Sequence, residues 1–141
     1  MAKLVKSIYT GSDVTSLGEL TSSDTIAGNI TFDDNIDIDG RATGVVVAEN
    51  DGSFDLDAGN YFTCTPTGAI DLTFTNETAG QTGMILLVNT TPQVVTVDAD
   101  VFLSAADLTT INVAGTYLMS YFCPDGINVY LSATPAQVEG S

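Results

Sequence analysis

The chain is 141 residues long and sets eighteen Asp and Glu against three Lys and Arg, with no His and a formal net charge of −15. Three cations cannot supply the counterion release that nucleic-acid binding needs, nor a polybasic patch for anionic lipid, and the missing His removes His-dependent triads and His-ligated zinc. Hydrophobic content of 44% with 15% charged residues fits one folded domain, large enough to bury a core without disulfide staples, rather than an acidic disordered tail.

Residues 1–12 carry Lys3 and Lys6, a net +2, so the remainder, with Arg41 against eighteen acids, carries −17. No signal-peptide hydrophobic stretch follows Met1-Ala-Lys-Leu-Val-Lys, and no run approaches the length of a membrane span, so neither export nor a membrane is expected. Residues 1–28, with Thr, Ser and Gly interleaved among isolated apolar positions, read as an arm that orders against a neighbour. Its attachment residues are Lys3, Leu4, Val5, Lys6, Ile8 and Tyr9, and Asp13 to Leu20 is long enough for one helical turn.

From residue 29 to 135 the text is that of β-structure: short runs of Thr, Val, Ile, Tyr and Phe punctuated by Gly, Asn, Asp and Pro. Strands are expected at Ile36 to Asp39, Val45 to Ala48, Ser53 to Asp57, Tyr61 to Thr65, Ile70 to Thr75, Met84 to Asn89, Val94 to Val97, Tyr117 to Cys123 and Ile127 to Leu131. Pro124-Asp-Gly predicts a hairpin between the last two, and Thr90-Thr-Pro predicts another joining Met84 to Asn89 with Val94 to Val97. Thr75 to Gly83 is a longer polar loop, Ser104 begins a helical turn, and residues 136–141 form a C-terminal tail. The fold expected is an all-β, antiparallel, jelly-roll-like sandwich with an extended N-terminal arm, assembled as an oligomer.

Between Ile30 and Phe74 an apolar/polar alternation nearly repeats itself, in Asn35-Ile-Asp-Ile-Asp-Gly, Ser53-Phe-Asp-Leu-Asp-Ala-Gly and Ala69-Ile-Asp-Leu-Thr-Phe. It buries Ile36 and Ile38, Phe54 and Leu56, and Ile70, Leu72 and Phe74 on one face. The irregular spacing argues against a true solenoid.

Asp33-Asp-Asn-Ile-Asp-Ile-Asp-Gly begins like a calcium loop, with oxygen ligands at alternate positions before Gly. The continuation fails, because Arg41 and Val46 fall where the seventh ligand and the bidentate acid belong. An edge strand showing carboxylates to water is the plainer reading. A looser, subunit-bridging calcium site on Asp33, Asp37, Asp39, Asp51, Asp55 and Asp57 is the alternative, and otherwise no cofactor is expected.

Cys64 and Cys123 sit in apolar strand-like segments and read as buried reduced thiols, with no His to generate a thiolate. Tyr61, Phe62, Phe74, Tyr117, Tyr121, Phe122 and Tyr130 read as core, with Tyr hydroxyls reaching the rim, and lining a glycan or protein groove is the alternative. The acceptor triplets at Asn29, Asn76 and Asn89 read as loop chemistry rather than glycosylation sites. Acids alone do not make a glycosidase, which needs two opposed carboxyls beside a cleft, so no enzyme is expected.

Ala58-Gly59-Asn-Tyr-Phe, then Ile70-Asp-Leu-Thr-Phe-Thr-Asn, Gly83-Met-Ile-Leu-Leu-Val-Asn, Val94-Val-Thr-Val, Val101-Phe102 and Tyr117-Leu-Met-Ser-Tyr-Phe-Cys-Pro-Asp-Gly-Ile-Asn-Val-Tyr follow an order that resembles the small β-domains of tailed-bacteriophage virion proteins. Thr15-Ser-Leu-Gly-Glu-Leu is similar to openings in the same group, which includes capsid decorations, head appendages and tail fibres. The resemblance implies a homo-oligomer, commonly a trimer, on the virion surface. The function expected is that of a capsid decoration or cement protein bound to the major capsid protein. The alternative is a tail-fibre or head-fibre component that recognises a host surface glycan through the Thr75 to Gly83 and Ser104 to Thr110 loops.

Overall fold

Period-2 alternation is strongest at Ile70-Asp-Leu-Thr-Phe-Thr, and there the backbone is a strand with Ile70, Leu72 and Phe74 buried and Asp71 and Thr75 exposed. The computed structural model describes residues 42–138. They fall within one compact unit, Arg41–Ser141. Its elements are β1 (Val46–Ala48), β2 (Ser53–Asp55), β3 (Tyr61–Cys64), β4 (Ile70–Thr75), β5 (Gln81–Asn89), β6 (Val95–Val97), β7 (Val101–Phe102), α1 (Ala105–Ile111), β8 (Gly115–Cys123) and β9 (Val129–Ala133). The class is all-β. The strand expected at Ile36 to Asp39 and the helical turn at Asp13 to Leu20 lie outside the described residues.

The strands form a six-stranded sheet in the order β1-β3-β5-β8-β9-β7 and a three-stranded sheet in the order β2-β4-β6. The antiparallel, jelly-roll expectation is corrected by the pairing. Odd strands β1, β3 and β5 pair parallel in the large sheet, and even strands β2, β4 and β6 pair parallel in the small one. The chain therefore winds between two sheets for three circuits. Successive rungs are unequal: Val46 aligns with Tyr61, 15 residues on, and Tyr61 with Met84, 23 residues on. Connections of different length absorb that irregularity, while the rungs stay in register.

Past the third circuit antiparallel pairing enters the large sheet, while β7 pairs parallel with β9. β8 lies antiparallel to β5 along nine residue pairs, and β9 returns antiparallel to β8. The Pro124-Asp-Gly hairpin is present. Asp125 Oδ1 accepts from the Ile127 and Asn128 amides at 3.0 and 2.7 Å, Oδ2 accepts from the Asn128 side chain at 2.6 Å, and Gly126 takes φ 77°. Bonds from Asn128, first from its backbone, and from Ile127 hold the Asp125 carboxyl below its ordinary value.

The second expected hairpin is absent. β5 and β6 belong to different sheets, so the link between them passes over the exposed rim from one sheet to the other instead of reversing the strand. Asn89 is the cause: it is fully buried, accepts from the Gln93 amide at 2.8 Å, and donates to the Gln93 and Ile111 carbonyls at 3.1 and 2.9 Å. Its side chain thus stands in for a ladder partner. Ser104 caps α1, its hydroxyl accepting from the Asp107 amide at 3.0 Å. At the far end Asn112 accepts from the Val95 amide at 2.8 Å and donates to the Val95 and Leu108 carbonyls at 3.0 and 2.8 Å, which ties the helix to β6.

The inner faces of the sheets share one core. Phe54 of the small sheet lies 5.3 Å from Phe62 of the large one, edge to face, and Phe74 lies 5.6 Å from Tyr121. Such pairs add directional contact to plain area burial. Gly83 lets β5 pass beneath Tyr121, whose hydroxyl donates to the Asn60 carbonyl at 3.3 Å. A methyl group there would run into that carbonyl and that hydroxyl, a close approach of the kind that reserves a strand position for glycine.

Candidate functional site

Residues 42–138 carry Glu49, Asp51, Asp55, Asp57, Asp71, Glu77, Asp98, Asp100, Asp107 and Asp125, and neither Lys nor Arg. Several of these acids are occupied locally. Asp51 accepts from the Ser53 amide at 3.0 Å, and Asp55 accepts from the Asp57 amide at 3.0 Å and the Asn76 side chain at 2.8 Å. These are turn-forming bonds of the kind short acidic side chains favour. Among the described residues no three His, Cys, Asp or Glu side chains converge as metal ligands. Of the calcium candidates, Asp51, Asp55 and Asp57 are accordingly turn and strand residues, and Asp33, Asp37 and Asp39 lie outside the described residues. So do the attachment residues Lys3, Leu4, Val5, Lys6, Ile8 and Tyr9.

Two shallow depressions flank the Pro66 turn. One is bounded by Asn50, Asp51 and Thr67 to Ile70, the other by Thr65 to Thr67, Val88, Thr90, Thr91 and Gln93. Asp51 is the one carboxylate between them, and neither contains an aromatic ring on which a sugar would stack. The polar loop expected from Thr75 to Gly83 shortens to Asn76–Gly80, because β5 starts at Gln81. The Gln81 side chain pins its end, Nε2 donating to the Leu56 carbonyl at 2.8 Å and to Asn60 Oδ1 at 3.1 Å.

The aromatics divide by strand parity. Phe62, Phe74, Tyr117 and Tyr121 are buried, whereas Tyr61, Phe122 and Tyr130 are exposed, a correction to the reading of all seven as core. Odd and even neighbours on a strand face opposite ways, so Tyr121 fills the core and Phe122 faces outward. Register then gathers the exposed rings. Phe122 aligns with Thr82 on one side and with Tyr130 on the other, and Tyr130 aligns with Phe102 and stacks on it at 4.8 Å and 14°. Beside that row runs a second, Val46, Tyr61, Met84 and Ser120. The remaining outward positions hold Ala48, Thr63, Leu86, Val88, Thr116, Leu118 and Ser132, so among the described residues the outer face of the large sheet carries no charged side chain. The small sheet differs, with Asp55, Asp71, Thr73, Thr75 and Thr96 at its outward positions.

Cys64 and Cys123 are both buried and unbridged. Burial, helped by the Asp51 and Glu49 charges and opposed by a hydrogen bond from Gly52, pushes the Cys64 thiol up from 9.0 to about 11. A thiol reagent at neutral pH is therefore expected to leave Cys64 unmodified in the native protein and to label it once denaturant is added. Rapid labelling without denaturant, mapped to Cys64 by peptide mass, would contradict this burial. The acceptor triplet at Asn89 likewise centres on a buried side chain.

Among the described residues no helix is long and apolar enough to cross a membrane. In comparison with known proteins, the chain matches no family model, no curated protein and no solved structure.

Proposed function

We propose that the protein is a non-enzymatic structural protein of a bacteriophage virion, a capsid decoration protein whose acidic body seats on basic patches of the major capsid protein. The observation that carries this reading is the charge distribution: ten carboxylates and no basic side chain over residues 42–138, on a body built from two sheets around one aromatic core. Such a surface is attracted to basic protein and repelled by phosphate backbones. The order of sequence features from Gly59 to Leu131, similar to virion surface domains, supports the setting. The segment holding Lys3 to Tyr9 supplies a second contact.

The test incubates purified protein in parallel with emptied capsids, host cells and isolated surface glycan. Retention on capsids is expected, falling steeply as salt rises because the contact is between opposite charges, and weaker after deletion of residues 1–12. Binding to cells or glycan without binding to capsids would replace decoration with receptor recognition.

A further inference from the structure

We infer that the outer face of the six-stranded sheet is a self-association surface on which a second copy of this chain docks face to face. The surface is apolar and contiguous. Val46, Tyr61, Met84, Phe122, Tyr130 and Phe102 keep between 38% and 63% of their area exposed, and strand register sets them in two adjacent rows across all six strands. Isolated exposed apolar residues are ordinary, but a connected patch on an otherwise charged body marks an interaction site.

Charge selects the occupant. A basic partner is drawn to the carboxylates, and this face offers it none. Two copies that meet through the small sheet bring like charges together, because Asp55 and Asp71 point outward there. Meeting through the uncharged face brings no outward carboxylate of the described strands into the contact. A sheet face also fits its own copy, because pleated faces stack at a separation of about 10 Å and an isologous contact reuses one patch on both subunits. Six strands at about 4.8 Å spacing, with the central pair about 30 Å long, offer roughly 600 Å² per copy, at the lower edge of stable specific interfaces. The association is therefore concentration-dependent.

The experiment measures mass by sedimentation and light scattering over a concentration series at low and high salt, on the full chain alone, without particles. The mass is expected to rise from 14.7 kDa towards twice that value with concentration, and to do so more readily at high salt, which screens the −15 charge of each copy. Phe122→Glu is expected to hold the protein at monomer mass, and Phe122→Ser, which extends the Ser120 and Ser132 pattern of the same face, to weaken association about tenfold with unchanged circular dichroism. Thr75→Glu, on the outer face of the small sheet, should associate as the parent does. A parent chain that stays monomeric at high concentration and high salt would overturn the proposal, as would a Phe122→Ser variant that associates normally. Loss of capsid retention by Phe122→Ser in a chain that is monomeric throughout would assign the face to the shell instead. Shell binding weakens with salt whereas self-association strengthens, so either proposal can fail while the other stands.

Discussion

Phe54→Ala is expected to lower the unfolding free energy by about 3–5 kcal/mol, a large share of the 5–15 kcal/mol typical of a domain. Phe54 is fully buried on β2, a three-residue strand at the edge of the small sheet. Its ring lies 5.3 Å from Phe74, its register partner in the same sheet, and 5.3 Å from Phe62 in the opposite one. Few other side chains of so short a strand face the core, so a methyl group in place of the ring leaves a cavity that the neighbours cannot close without parting the sheets. Phe54→Leu, which refills most of the volume, should cost less than half as much. Urea denaturation at constant m-value is the measurement. A loss below about 1 kcal/mol for the Ala variant would mean that the sheets do not meet through this ring.

Legibility followed the range of the interactions. The β8–β9 hairpin and the start of α1 could be read because Pro124-Asp-Gly and Ser104 act on amides no more than three residues away. Most strands could be placed because Ile70-Asp-Leu-Thr-Phe-Thr and its relatives alternate. Alternation says which side chains go inward, and it is identical for parallel and antiparallel neighbours. Nothing in Phe54-Asp-Leu or Ile70-Asp-Leu therefore revealed that β2 and β4 run the same way. The polar connection at Thr90-Thr-Pro looked like a reversal because the role of Asn89 depends on Ile111, 22 residues away.

The uncharged face was half legible. Tyr121 and Phe122 are neighbours on one strand, so one of them had to face outward, but the company Phe122 keeps is set by register with Tyr130 and Thr82. Phe102 was missed as a strand residue because β7 has two residues and follows Asp98-Ala-Asp, which reads as loop. Parity within each strand would have exposed the pattern once the strand order was known.

Asn89→Ala is expected to cost about 2–4 kcal/mol, more than a generic polar truncation, because 1–3 kcal/mol attaches to each buried group left without a partner. The substitution strands three: the Gln93 amide, the Gln93 carbonyl and the Ile111 carbonyl. Gln93 is partly exposed, so water repairs some of the loss there, whereas Ile111 is fully buried at the end of α1. Asn89→Asp separates geometry from chemistry. It keeps the acceptor for the Gln93 amide but turns an oxygen on two carbonyls that had received N–H donors. A carboxylate so placed is destabilised in the fold, which raises its pKa above the unfolded value of about 3.9. The sign follows: the Asp variant should be most stable below that value, where the carboxyl is protonated in both states, and lose stability as pH rises through the higher folded pKa. The Ala variant should show no such added slope. Denaturation of both variants at acid and neutral pH, compared with the parent, checks this, and equal stability of the Asp variant and the parent at neutral pH would show that Asn89 does not join β5 to the helix in this way.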